Sequence, residues 1–211
     1  YKEIFHVSIP DVSSSDSNFL IRLSGNSFQP SIEFSDNEKI FPKLPLMIRT
    51  DLLKKDITCF LEDEKVLHFA PKLQGSSESV TICLTNPEPI ECITELMVKS
   101  KAKVNPFDVK DKIVKIPAYS TSSTSIIFTP VGCDSYSSSF EAVVKSQTAS
   151  QPLKFSLEGI GSVPSISLKT ALDRSKNGFI LNLGKTLIGY DKKKTVAISN
   201  DSHLPANISV S

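Results

Sequence analysis

The chain has 211 residues, 39% of them hydrophobic, with 24 Lys and Arg set against 23 Asp and Glu. That size bounds one to two globular domains, and the near-neutral balance argues against a nucleic-acid module, which would carry a concentrated basic face. No apolar run approaches the roughly 18 residues of a membrane span, so neither nucleic acid nor a membrane is expected as a partner.

Ser, Thr, Val and Ile are abundant, Trp is absent and helical periodicity is weak, which points to β structure. Cys59, Cys83, Cys92 and Cys133 show no C-x-x-C spacing and no His at metal-ligand offsets. They read as reduced, packed thiols. A Cys83–Cys92 bridge is the alternative in a secreted protein.

In chain order, the first pattern is Tyr1-x-x-x-Phe5, Val7 and Ile9, a polar turn over residues 10–16, and Phe19 to Leu23. Strand, polar turn, strand is a hairpin signal. It closes on Leu23-x-Gly25-x-x-x-x-Pro30-Ser31-Ile32. The same succession returns as Tyr136-x-x-x-Phe140, Val143-Val144, a polar loop, Leu153 to Leu157, and Leu157-x-Gly159-x-Gly161-x-x-Pro164-Ser165-Ile166. Here Gly permits close backbone approach, and Pro stiffens the exit. Each copy reads as the last strands of a domain.

A second repeat marks domain beginnings. Leu67-x-Phe69-Ala70, Leu73, Gly75 and Ile82-x-Leu84-x-Asn86 match Leu181-x-Leu183-Gly184, Leu187, Gly189 and Val196-x-Ile198-x-Asn200 at one constant offset. Between the repeats lie further strand patterns at residues 93–98, 107–109, 112–116 and 124–128, with Thr124, Ile126 and Phe128 on one face. Short strands separated by Pro and Gly turns, in a unit of about 100 residues, predict a seven-stranded immunoglobulin-like sandwich.

The expected organisation is all-β, with one complete sandwich and two partial ones. Residues 1–34 are the C-terminal strands of a preceding domain, and 35–65 a linker or insertion. Residues 66–164 are the complete domain, 165–177 a linker, and 178–211 the N-terminal strands of a following domain. Two strands alone cannot bury a core, so both ends are expected to be cuts through longer domains.

The insertion holds Ile48, Leu52, Leu53, Ile57, Phe60 and Leu61 at helical spacings, which predicts a short amphipathic helix. It either packs on the sandwich edge or between domains, or serves as a docking element in which Leu52, Leu53, Ile57 and Phe60 meet a partner.

With these residues laid out, the module resembles the ASH domain, a relative of the major sperm protein (MSP) fold. The resemblance rests on the ordered succession Leu67-x-Phe69, Gly75, Ile82-x-Leu84-x-Asn86, Phe107-x-Val109, Ile116-Pro117-x-x-Ser120, Phe128-x-Pro130, Tyr136 and Leu157-x-Gly159-x-Gly161-x-x-Pro164. Ala70 stands where the family pattern has Gly, and Ser27 where it has a second Gly. Tandem modules of this kind look like those of hydin-type proteins of cilia and flagella. The resemblance implies a structural role in the axoneme, at the central-pair apparatus. The partners it implies are other axonemal proteins and tubulin.

No chemistry competes with that expectation. His6, His68 and His203 sit beside no nucleophile motif, and there is no G-x-S-x-G, P-loop or Rossmann fingerprint. No catalytic residue, cofactor, metal or small-molecule substrate is expected. Lys192-Lys193-Lys194 is either a solvated turn or a contact for acidic tubulin surfaces. Two rival readings stay open: an extracellular adhesion array, which would use the Asn200 and Asn207 sequons, and an MSP-like peptide-binding module.

Overall fold

The structure is a computed structural model; it describes residues 1–8, 18–52, 57–146, 151–170, 173–175 and 178–209. In chain order, β1 (Lys2–Ser8) and β2 (Asn18–Ser24) form a hairpin. A short α1 (Asn37–Ile40) follows, then β3 (Leu46–Met47), α2 (Arg49–Leu52) and β4 (Cys59–Leu61). The main body comprises β5 (Val66–His68), β6 (Lys72–Leu73), β7 (Glu78–Thr85), β8 (Cys92–Lys99), β9 (Phe107–Val109), β10 (Ile113–Ile116), β11 (Thr121–Phe128), β12 (Ser135–Val144) and β13 (Leu153–Ser162). The tail carries β14 (Ile166–Leu168), β15 (Asp173–Ser175), β16 (Gly178–Ile180) and β17 (Ile198–Asn200).

Two sheets build the main body. One runs β10-β8-β12-β13-β5-β4-β3, with β6 also beside β13; the other is β7-β11-β9. The alternation read from the sequence sets their inner faces: Val80, Ile82 and Leu84 of β7, and Thr124, Ile126 and Phe128 of β11, are all buried. They meet Phe140, Ala142, Phe155 and Leu157 of the facing sheet in one core. Aromatic rings fill that core: Phe107 stacks on Phe128 with centroids 4.8 Å apart, and Phe140 on Phe155 at 4.7 Å. This is the expected all-β immunoglobulin-like sandwich.

Its first strand is split. Residues near Glu33 lie against the end of β7 through a Glu33–Thr85 bridge, and Glu33 N–H donates to the Thr85 carbonyl at 2.9 Å. The chain then crosses to the other sheet, where β5 pairs in parallel with β13, Leu67 opposite Leu157. The extra residues 35–65 are therefore threaded between the two halves of one strand. Ile32, Ile40 and Phe41 are buried in the same core as β7 and β13.

The four cysteines are free thiols. Cys83 and Cys92 lie in different sheets, and Cys92 faces the core while Cys83 is half-buried on the other face of β7. Burial pushes the Cys59 and Cys92 thiols above their ordinary range.

Candidate interaction surfaces

The insertion differs from its expected form. Its helices are one turn each, and Phe60 and Leu61 lie on β4 rather than on a helix. All three residues of β4 are buried, so the strand shows no inside-outside alternation and its apolar run mimics helical spacing. Asp36 caps α1, its Oδ1 accepting from Glu38 N–H at 3.1 Å and Lys39 N–H at 3.3 Å. That turn delivers Ile40 and Phe41 inward, where Phe41 stacks on Phe60 at 4.3 Å and meets the edge of Phe155 at 5.4 Å. Leu52 packs with Cys59, Leu61, Val66 and Met47 in a second cluster.

Leu52 and Phe60 are thus buried in the two apolar clusters. Ile57 is half-buried, and Leu53 lies outside the described residues. Arg49 fastens the insertion to the sandwich. It bonds Glu64, and its Nη2 donates to Glu158 Oε2 on β13 at 2.9 Å. The Glu64 bond is the main cause of a guanidinium held charged well above its ordinary range, and it draws the Glu64 carboxyl below its own.

The two repeats become two geometric copies. The β1–β2 ladder pairs Phe5 with Ile21, Glu3 with Leu23 and Val7 with Phe19. The β12–β13 ladder pairs the matching Phe140 with Phe155, Ser138 with Leu157 and Ala142 with Leu153. Residues 165–177, expected as a linker, include β14, which pairs with β17 so that Ser167 faces Ser199. That is the counterpart of the Glu33–Thr85 bridge. The Pro-Ser-Ile segment after each hairpin thus leads into a short strand pairing. Its length, one to three residues, is too short for periodicity to reveal.

Asn86 and Asn200 make the same local staple. Asn86 Nδ2 donates to the Ile90 carbonyl at 2.7 Å and its Oδ1 accepts from Glu88 N–H at 3.0 Å. Asn200 Nδ2 donates to the Leu204 carbonyl at 2.7 Å and its Oδ1 accepts from Ser202 N–H at 3.1 Å. Fully buried Asn86 also reaches the Ile116 and Pro117 carbonyls, which ties β7 to the end of β10. Gly75 and Gly189 match too: both have positive φ, 78° and 86°, in turns closed by Ser76 N–H to Leu73 and Tyr190 N–H to Leu187.

Lys192, Lys193 and Lys194 are exposed. Lys192 Nζ donates to the Lys185 carbonyl and Lys194 Nζ to the Asn182 carbonyl. By the repeat they occupy the place of the first half of β7. Among the described residues no group of three or more His, Cys, Asp or Glu converges as a metal site. Among the same residues no helix is long and apolar enough to cross a membrane.

No protein-family profile matches the chain. Two curated relatives are the mouse hydrocephalus-inducing protein and its human homologue, each 24% identical over 162 residues covering 72% of this chain. The chain spans 3% of the length of these relatives. Among solved structures, an ASH/PapD-like domain of human CEP192 is 18% identical, with a TM-score of 0.41 over 46% of this chain and 81% of that one. The MSP-family member WR4 of C. elegans is 9% identical, with a TM-score of 0.30 over 47% of this chain and 94% of that one. The chain is thus similar in sequence to hydrocephalus-inducing proteins, and its main body is folded as an immunoglobulin-like β-sandwich.

Proposed function

We propose that this chain is a segment of a non-enzymatic scaffold, a long array of ASH-type sandwiches that works in the axoneme of cilia and flagella at the central-pair apparatus. The observation that carries the reading is the joint. The same hairpin register and the same Pro-Ser-Ile strand recur on both sides of one complete sandwich. A chain that hands its exit strand directly to the next unit makes a stiff series of modules. Such a series presents edges and loops at fixed intervals to axonemal partners, tubulin among them. On this reading residues 1–30 close one module, 31–164 form the whole one and 165–211 open a third.

The hydin-type relatives support the placement, and the small share of their length that this chain spans fits a piece of an array. The test is cryo-electron tomography of axonemes with and without the parent protein. A rod-like density that disappears from the central apparatus is expected, together with impaired beating. Unchanged axonemes, with the protein located elsewhere, would overturn the proposal.

A further inference from the structure

We infer that the exit end of the main body, where Leu73, Val131 and Val163 stand exposed, is the seat of the unit that begins at β14, and that the loop of residues 201–206 is the part that packs there. Leu73 is 44% exposed, Val131 53% and Val163 41%. They come from three places in the chain: β6, the loop after β11, and the residue that follows the end of β13. Exposed aliphatic residues scattered singly need no explanation, whereas a fixed cluster of them marks a contact surface.

The backbone ties these three residues together. Leu73 pairs with Ser162, and Gln74 N–H donates to the Ser162 carbonyl at 3.1 Å. Gln74 Nε2 donates to the Val131 carbonyl at 2.8 Å, and Gly75 N–H to the Pro130 carbonyl at 2.8 Å. Gly161 N–H donates to the Asp134 carbonyl at 2.9 Å, which fastens the same loop to β13. The Leu73 carbonyl accepts from Ser76 N–H at 2.9 Å. The carbonyls of Leu73 and Val131 are therefore used within the body, and what these residues present outward is aliphatic. A surface already fixed in this way loses little freedom when it is covered.

Chain connection chooses the occupant. β13 ends at Ser162 and β14 begins at Ile166. The steps between them span about 14 Å at full extension, and Pro164 restricts Val163 before it. Asp201 N–H donates to the Ser165 carbonyl at 2.9 Å, so the loop after β17 sits on the tether itself. Asn200 Nδ2 and Ser202 Oγ both donate to the Leu204 carbonyl and hold that loop in shape, with Leu204 half-buried. A tether this short gives the loop an effective concentration on the order of millimolar at the exit end.

The other joint has the same construction. Ser31 matches Ser165 in the repeat, and its Oγ donates at 3.3 Å to Glu88 Oε1, in the loop after β7. In both units the loop behind the second strand is bonded to the serine of Pro-Ser-Ile. An aliphatic patch beside such a loop is answered by the apolar side chains of Leu204 and Pro205. Covering it would turn a covalent tether into a packed joint between neighbouring units.

The inference rests on the reading of residues 165–211 as the start of a further unit, and its test does not depend on where the protein resides. Backbone nitrogen-15 relaxation of the 211-residue chain gives separate tumbling times for the main body and for β14 and β17. Equal times are expected. Leu73→Asp combined with Val131→Asp should shorten the time of β14 and β17 by about twofold or more. Leu204→Ser should shorten it to a smaller degree. Ile113→Asp with Tyr119→Asp changes exposed residues on β10 and in the turn that bonds the Glu88 carbonyl, and should leave it unchanged. The aspartate variants alter exposed side chains, so thermal melts by circular dichroism should match the parent. A parent in which β14 and β17 tumble faster than the main body, no release by the Leu73 and Val131 variant, or equal release by the control pair would overturn the inference. So would tumbling times that lengthen with concentration, the sign of a patch covered by a second copy. The axonemal placement would survive any of these results, because tomography decides it separately.

Discussion

Phe5 and Phe140 hold the same place in the same ladder, yet Phe140 is fully buried and Phe5 is 48% exposed. Leu157 and Leu23 repeat the contrast at 0% and 51%, and Ile32 and Ile166 at 4% and 46%. Local sequence thus fixes strand and register in both copies, and burial is contributed by the sheet across the core. The glycines agree. A Cβ on Gly159 would lie 2.7 Å from Phe128 Cζ, whereas one on the matching Gly25 would meet nothing within 4 Å. The same letters are packed in one copy and idle in the other.

Paired substitutions can break this comparison. The largest effect belongs to Phe140→Ala, which should cost about 4 kcal/mol in urea unfolding of the main body, against under about 1 kcal/mol for Phe5→Ala. Equal costs would mean that β1–β2 has a core of its own. Gly161→Ala comes next. Its Cβ would collide with the Gly132 carbonyl oxygen, so backbone must shift, at about 3 kcal/mol, while Gly25→Ala should be near neutral in the same assay.

Asn86→Ala should cost about 2 kcal/mol because the buried Ile116 carbonyl, and with it that of Pro117, loses its donor. Exposed Asn200→Ala should cost about 0.5 kcal/mol or less, read as a smaller shift in melting temperature.

The smallest effect concerns pH. Hydrogen bonds from Lys99 and Lys154 hold the Glu141 carboxyl below its ordinary range. A depressed carboxylate contributes stability above the unfolded-state value, and that contribution is lost as pH falls through the folded-state value. Glu141→Gln should therefore remove about 1 kcal/mol or less at neutral pH and flatten the acid limb of the stability curve. An unchanged acid limb would place the sensitivity elsewhere.

The same physics decides which elements were legible in the sequence. Strands with one face in the core and one outside announce themselves by alternation, so β7, β8 and β11 were readable from Val80, Ile82, Leu84 and their neighbours. Repeats exposed the joints, and the motif order exposed the fold. β4 was hidden because both of its faces are covered. Strand pairing near Glu33 and at β14 was hidden because it involves too few residues to show a period. Leu52 and Phe60 looked like an amphipathic docking stripe because spacing reports which residues are apolar and not which neighbour covers them.

The parallel pairing of β5 with β13 has a consequence for synthesis. A ribosome delivers Leu67 long before its partner Leu157, and the seam along β5 stays open until the last strand of the module emerges. Only residues 163–165 separate that strand from β14. Closing the sandwich and presenting β14 are then consecutive events. On the proposed array reading, the nascent chain would fold in order from its N-terminus, the completed sandwich anchoring β14 behind it.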